Sequence, residues 1–176
     1  MTIPNLITVF RLVLVPLVVL MILQGRWGVA FTAFVIAGAS DGIDGYIARR
    51  FDMRSEFGAI IDPLADKALL VSIYITLALV GVLPDWVVVV VVSRDLIMVM
   101  AIMVSWLMDR RMEIRPMFIG KMNTAAQIGF AALILSTKAF GMDLGVVEDA
   151  LMIAVAVLTV LSGGAYLGKW LTHMTA

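Results

Sequence analysis

An all-α polytopic membrane protein, a bundle of six transmembrane helices, is the fold class that this sequence predicts, and two observations predict it. The first is composition: 62% of the 176 residues are hydrophobic and the mean hydropathy is +1.07, far outside the range of soluble globular chains. The second is spacing. Apolar residues come in repeated runs close to the ~20 needed to cross a ~30 Å hydrocarbon layer, each closed by a polar or Gly/Pro break. The unbroken valines of 87–92 exceed what a soluble core of this size requires.

The elements follow in order. Asn5, just after Pro4, is placed to cap a first span over roughly 5–23, ended by Gln24-Gly25. Arg11 lies inside it and either snorkels to the near interface or meets a lipid phosphate. A second span runs over roughly 28–50 and holds Asp41, Asp44 and Arg49 in its last turns. A polar turn over 50–57 leads to a third span, roughly 58–80, which opens with Asp62 and Asp66 on either side of Pro63. Near a helix start that proline is tolerated; deeper in, it would kink the helix. Gly81 and Pro84-Asp85 make the next turn, and a fourth span over roughly 86–108 is interrupted by Arg94-Asp95. A basic loop over 109–116 precedes a fifth span, roughly 117–137, with Lys121 and Asn123 near its start. A polar loop over 138–148 and a sixth span over roughly 149–170 complete a single domain, 1–176. His173 is expected in an exposed tail, and Trp27, Trp86 and Trp170 read as interface anchors. The methionines read as packing residues. The chain has no cysteine, so redox compartment is not legible, and the first apolar run lacks the small-residue cleavage site of a signal peptide.

Charge sets the expected orientation. The segments 49–57, 109–121 and 169–176 hold Arg49, Arg50, Arg54, Arg110, Arg111, Arg115, Lys121 and Lys169, whereas the opposite loops hold Arg26 and Lys138. The basic side, with both termini, is therefore expected in the cytoplasm, and Asp41, Asp44, Asp62 and Asp66 belong to that side.

Those four aspartates are the centre of the functional reading. Asp41 and Asp44 are i and i+3 and share a helix face; Asp62 and Asp66 are i and i+4 and do the same on the next helix. A single carboxylate in a spanning helix costs ~2.5–3.5 kcal/mol, so four need compensation. Facing one another across a helix hairpin they would repel and stay partly protonated unless cations sat between them. Hard divalent metals suit such oxygen ligands. Gly45 and Gly58 lie near the same faces and remove bulk where something approaches the backbone. Two metals held by shared carboxylates can grip a diphosphate and stabilise a leaving phosphate. Arg49 can bind a phosphate oxygen, and Asp66 is the positional candidate for taking a proton from an attacking hydroxyl. A solvated helix end with scattered acids and an intramembrane cation transporter using the aspartates are the competing readings. An intramembrane prenyltransferase is a third, although its aspartate-rich motifs are usually spaced differently.

The pattern Asp41-x-x-Asp44-Gly45-x-x-Ala48-Arg49, eight residues, Gly58, three residues, Asp62, three residues, Asp66 resembles the signature of the CDP-alcohol phosphotransferase family. Every signature position is filled, and the Ile-Pro-Asn-Leu-Ile-Thr start with Arg11 is similar too. The resemblance covers most of the chain. It implies transfer of a phosphatidyl group from CDP-diacylglycerol to an alcohol with release of CMP, dependence on two divalent cations (Mg or Mn), and a homodimer in a cell membrane, the bacterial inner membrane, with no nucleic-acid partner. Carried over by position, Asp41, Asp44 and Asp62 are metal ligands and Asp66 is the general base that also touches metal. Gly45, Ala48, Arg49 and Gly58 line the cytidine diphosphate.

For the acceptor, Ser93-Arg94-Asp95 and Arg115-Pro116-x-x-Ile119-Gly120-Lys121-x-Asn123-Thr124-x-x-Gln127 resemble cardiolipin synthases, whose acceptor is phosphatidylglycerol. The related phosphatidylglycerophosphate synthases use glycerol 3-phosphate. They tend to carry a lysine where Asn123 stands and a further arginine in the fourth span, absent from 96–108 here. A small dianion should want that extra charge more than a lipid phosphodiester does. Arg94, Lys121, Arg115 and Asn123 are thus the acceptor-side candidates. Arg94 serves structure or acceptor phosphate; a direct pair with Asp95 is expected to be poor geometry, since adjacent helix residues diverge by about 100°. Lys121 snorkels or binds the acceptor, and Lys67 balances the acidic cluster.

Overall fold

The computed structural model describes the backbone of residues 3–51, 56–107 and 118–175, with side chains within 13–40, 67–100 and 118–172. The described residues form six α-helices: α1 (Ile3–Leu23), α2 (Trp27–Phe51), α3 (Glu56–Leu79), α4 (Asp85–Leu107), α5 (Phe118–Phe140) and α6 (Val146–Thr175). The described residues contain no strand. The order and number of helices match the apolar runs of the sequence, and most ends fall within about three residues of the expected ones.

Where the ends differ, the reasons are local. α1 starts at Ile3, so Pro4 lies in its first turn, where its missing N–H costs nothing, and Asn5 is not its cap. α3 begins at Glu56 and runs through Pro63. Two of the charged residues read as a loop over 138–148 belong to helix ends. Lys138 lies in the last turn of α5, while Glu148 joins Asp149 in the first turn of α6, each complementing the dipole there. α6 continues to Thr175, since no glycine or proline occurs after Gly168, so the backbone of His173 is helical.

Two of the closing turns share one hydrogen-bond pattern. Arg26 N–H donates to the Met21 carbonyl (2.8 Å) and Gly25 N–H to that of Ile22 (2.9 Å); at the end of α3, Val82 donates to Leu77 (2.9 Å) and Gly81 to Ala78 (2.8 Å). The glycines take φ of 68° and 72°, the left-handed conformation that this C-cap requires and that other residues adopt only with strain. The breaks expected at Gly25 and Gly81 are therefore observed with their cause.

The chain divides into two compact units. The first comprises Met1–Val82 with Ala131–Leu144; the second comprises Leu83–Phe130 with Gly145–Ala176. In the first unit α1 packs against both α2 and α3. Leu14, Val18 and Ile22 of α1, Ala30, Ala33, Phe34 and Ala37 of α2, and Leu70, Ile73, Tyr74 and Leu77 of α3 are buried, each set at the three- and four-residue spacing of one helix face. Phe31 meets Phe140 edge to face, with ring centroids 6.0 Å apart.

In the second unit α4 packs against α6. Val87 and Val91 of α4, Phe130 of α5, and Val155 and Ala156 of α6 are buried there. The same inner faces carry Arg94, Asp95, Asn123, Gln127, Thr159 and Ser162, all buried, whereas Val89, Leu96, Val160 and Leu161 are exposed. This reverses the water-soluble arrangement, in which polar residues face out. Helices Phe118–Phe140 and Val146–Thr172 are long and apolar enough to cross a membrane, and Val13–Leu23, Trp27–Ser40 and Lys67–Leu79 are shorter apolar stretches among the described residues. Two candidate spans are thus found among the described residues, where six were expected of the whole chain.

Candidate functional site

The signature residues occupy two helices. Asp41, Asp44, Gly45, Ala48 and Arg49 lie in the last turns of α2, and Gly58, Asp62 and Asp66 in the first turns of α3. Continuous helix through both segments gives the predicted registers, i and i+3 on α2 and i and i+4 on α3. The side chains of these eight residues, and of Arg11, lie outside the described residues; Arg115 lies outside them altogether. Among the described residues no group of three His, Cys, Asp or Glu could hold a metal. The four aspartates supply the hard oxygen donors that Mg and Mn prefer, and their donor chemistry fits such ions.

The second unit contains a polar constellation whose side chains are described. Arg94 of α4 is 4% exposed. Its Nη1 donates to Asp95 Oδ1 (2.7 Å) and its Nη2 to Ser162 Oγ of α6 (2.8 Å). Its guanidinium carbon lies 5.6 Å from the ring centroid of Tyr166, also on α6, within cation–π range. The Arg94 stem lies over Gly163, where a Cβ would stand 3.3 Å from Cγ. Arg94 Nε is buried with no hydrogen-bond partner among the described residues.

The direct Arg94–Asp95 ion pair corrects the sequence expectation. The ~100° between neighbouring residues separates their Cβ atoms, but the arginine stem is long enough to bring its head back onto the adjacent carboxylate. Both side chains are withdrawn from solvent, at 4% and 5% exposure, and there an unpaired charge would be costly.

A second cluster joins α5 to α6. Thr159 Oγ1 accepts from Gln127 Nε2 (3.2 Å) and lies within donating range of Asn123 Oδ1 (2.9 Å) and the Val155 carbonyl (2.7 Å). One hydroxyl proton serves these two acceptors. Asn123 is fully buried, and its Nδ2 has no partner among the described residues. Lys121, two residues away and so on the other side of the helix, is exposed. At the first turn of α5 the backbone of Gly120 is covered by Tyr166: a Cβ there would stand 2.8 Å from Oη and 2.9 Å from Cε2. As numbering rises from Gly120 to Gln127 on α5, the partners on α6 fall from Tyr166 to Thr159, so the two helices run antiparallel, as a short connection dictates.

The four acceptor-side candidates are thus distributed. Arg94 and Asn123 are buried in two separate polar clusters, Lys121 is exposed, and Arg115 is outside the described residues. Sequence reading overlooked the α6 partners, Thr159, Ser162, Gly163 and Tyr166. Their signal was available: Thr159, Ser162 and Tyr166 are spaced by three and four within an apolar helix and mark one face.

The family model for CDP-alcohol phosphatidyltransferase matches residues 1–161. The chain belongs to this family. The matched segment takes in the four aspartates of α2 and α3 and, of the polar clusters, Arg94, Asp95, Asn123, Gln127 and Thr159, while Ser162 and Tyr166 lie beyond it. The chain is 36% identical to a probable phosphatidylglycerophosphate synthase of Mycobacterium tuberculosis, covering 94% of this chain and 79% of that protein. It is 31% identical to the cardiolipin synthase (CMP-forming) of Rattus norvegicus, over 94% of this chain and 60% of that protein. It is 32% identical to a cardiolipin synthase (CMP-forming)/mitochondrial hydrolase fusion protein of Schizosaccharomyces pombe, over 94% of this chain but 30% of that protein. The chain thus spans less than two thirds of the length of these two cardiolipin synthase relatives.

Proposed function

We propose that this family member transfers the phosphatidyl group of CDP-diacylglycerol to the hydroxyl of phosphatidylglycerol, releasing CMP and forming cardiolipin. The family match and the complete signature on α2 and α3 carry the donor half of this reading. The acceptor oxygen attacks the phosphorus that bears diacylglycerol. A new P–O bond forms there, the bond to the CMP oxygen breaks, and Asp66 takes the hydroxyl proton. Asp41, Asp44, Asp62 and Asp66 would hold two divalent cations, Mg or Mn, which when bound screen the negative diphosphate. Gly45, Ala48, Arg49 and Gly58 line the cytidine diphosphate.

On the acceptor side the reading assigns Arg94, Lys121, Arg115 and Asn123 to the incoming phosphate. Phosphatidylglycerol is favoured by charge. Arg94 is already neutralised by Asp95, and Asn123 is a neutral amide held by Thr159. This end therefore offers less positive charge than its arginine suggests, which suits a monoanionic lipid phosphodiester better than the dianion glycerol 3-phosphate. The reading further holds that 1–176 is one transmembrane domain of six spans in a cell membrane, with termini and active site cytoplasmic, working as a homodimer. Support for the membrane comes from apolar outer faces around polar inner ones in the second unit.

The test is direct. Purified protein with Mg or Mn and CDP-diacylglycerol is given phosphatidylglycerol or glycerol 3-phosphate, and the product lipid is identified. Cardiolipin with CMP is the expected result. Phosphatidylglycerophosphate instead would transfer the assignment to the other acceptor, and release of pyrophosphate or no CMP would end the donor reading.

A further inference from the structure

Tyr166 is a residue of the second unit that sequence reading overlooked, and it touches both acceptor-side helices. Its ring lies under the Arg94 guanidinium at 5.6 Å. Its edge rests on Gly120, the residue before Lys121, so closely that even a methyl group there would clash with Oη and Cε2. Arg94 is in turn fastened to Asp95 and to Ser162, one helical turn before Tyr166. α4, the first turn of α5, and α6 therefore meet at one aromatic ring.

We infer that Tyr166 is a positioning residue for acceptor binding: it fixes the guanidinium of Arg94 and the backbone from which Lys121 projects. Gly120 is the complementary half of this device. The inference rests on the proposed role of Arg94 and Lys121 toward acceptor phosphate. The glycine is not required by backbone conformation, since Gly120 lies within α5 without a positive φ. It is required by the ring. A methyl at 120 must push the far end of the tyrosine away, which moves the face on which Arg94 rests. A smaller side chain at 166 leaves Arg94 without its stacking partner and the α5 turn without its seat.

The experiment measures CMP release by the full-length protein in mixed micelles, varying acceptor and CDP-diacylglycerol separately, with whichever of the two acceptors supports turnover. Tyr166→Leu is expected to raise the acceptor KM about tenfold, the scale of one lost cation–π contact with its packing, with kcat and the CDP-diacylglycerol KM within about twofold. Tyr166→Phe keeps the ring and should restore wild-type values. Gly120→Ala should raise the acceptor KM in the same way, and Gly120→Ala added to Tyr166→Leu should cause no further rise, because the clash is gone. Binding of short-chain phosphatidylglycerol to the same variants, read by tryptophan fluorescence without turnover, should weaken in the same order.

If Tyr166→Leu or Gly120→Ala shifts both KM values alike, or Gly120→Ala and Tyr166→Leu simply add, Tyr166 is a packing residue and the inference is wrong. If Arg94→Lys and Lys121→Gln leave the acceptor KM unchanged, the acceptor reading fails first and this inference with it. If those two raise it while Tyr166→Leu does not, the acceptor reading stands and only the inference falls.

Discussion

Replacing Asp95 by leucine should strip the buried Arg94 guanidinium of its counterion. The pair is 2.7 Å apart with both side chains almost fully withdrawn from solvent. Removing one member of a buried pair costs about 3–5 kcal/mol, because the other charge is left uncompensated. Ser162 and Tyr166 still hold Arg94 in the variant, so the lower end, about 3 kcal/mol, is expected. Replacing both members, Arg94→Met with Asp95→Leu, removes the charge as well as its partner and should cost much less than the single change. The assay is equilibrium unfolding in mixed micelles by added denaturing detergent, followed by tryptophan fluorescence. A loss below about 1 kcal/mol for Asp95→Leu, or a double variant as unstable as the single changes added together, would refute the buried ion pair as the stabilising element.

The other predictions concern chemistry and packing. Asp66→Asn should lower turnover by at least about a hundredfold, as loss of a general base does, while metal-dependent retention of the CDP-lipid persists; near-normal turnover would remove Asp66 from that role. Chelation of divalent ions should abolish CMP release, with recovery on adding Mg or Mn, and Asp62→Ala should shift the metal concentration needed for half activity upward; an unshifted titration would contradict the ligand assignment. Thr159→Val removes the hydroxyl shared by Gln127 and Asn123 and should cost about 1–3 kcal/mol in the same unfolding assay, whereas a neutral result would mean that the cluster rearranges freely. Gly81→Ala meets open space but places a side chain at φ 72°, so it should destabilise by about 1–2 kcal/mol through backbone strain alone.

The residue order alone determined the helical class, the number of helices and most of their ends. Repeated apolar runs with polar breaks between them mark helices and their ends, and glycine closes a helix where a left-handed residue is needed, as at Gly25 and Gly81. It also marked the four aspartates at helical spacing on α2 and α3, on which the proposed donor chemistry rests. Local charge misled where it served helix ends, as with Lys138 and Glu148. What depended on tertiary structure was the partner of each polar residue on the inner faces. Adjacency in sequence argued against an Arg94–Asp95 bond, yet burial drives the flexible guanidinium onto the nearest anion. Lys121 and Asn123 look alike along the chain, but α6 covers one and leaves the other exposed. The spacing of Thr159, Ser162 and Tyr166 marks a face of α6, but only the antiparallel packing of α5 and α6 brings Tyr166 against Gly120 and under Arg94, since contacts between helices depend on register and facing that no single run of residues encodes.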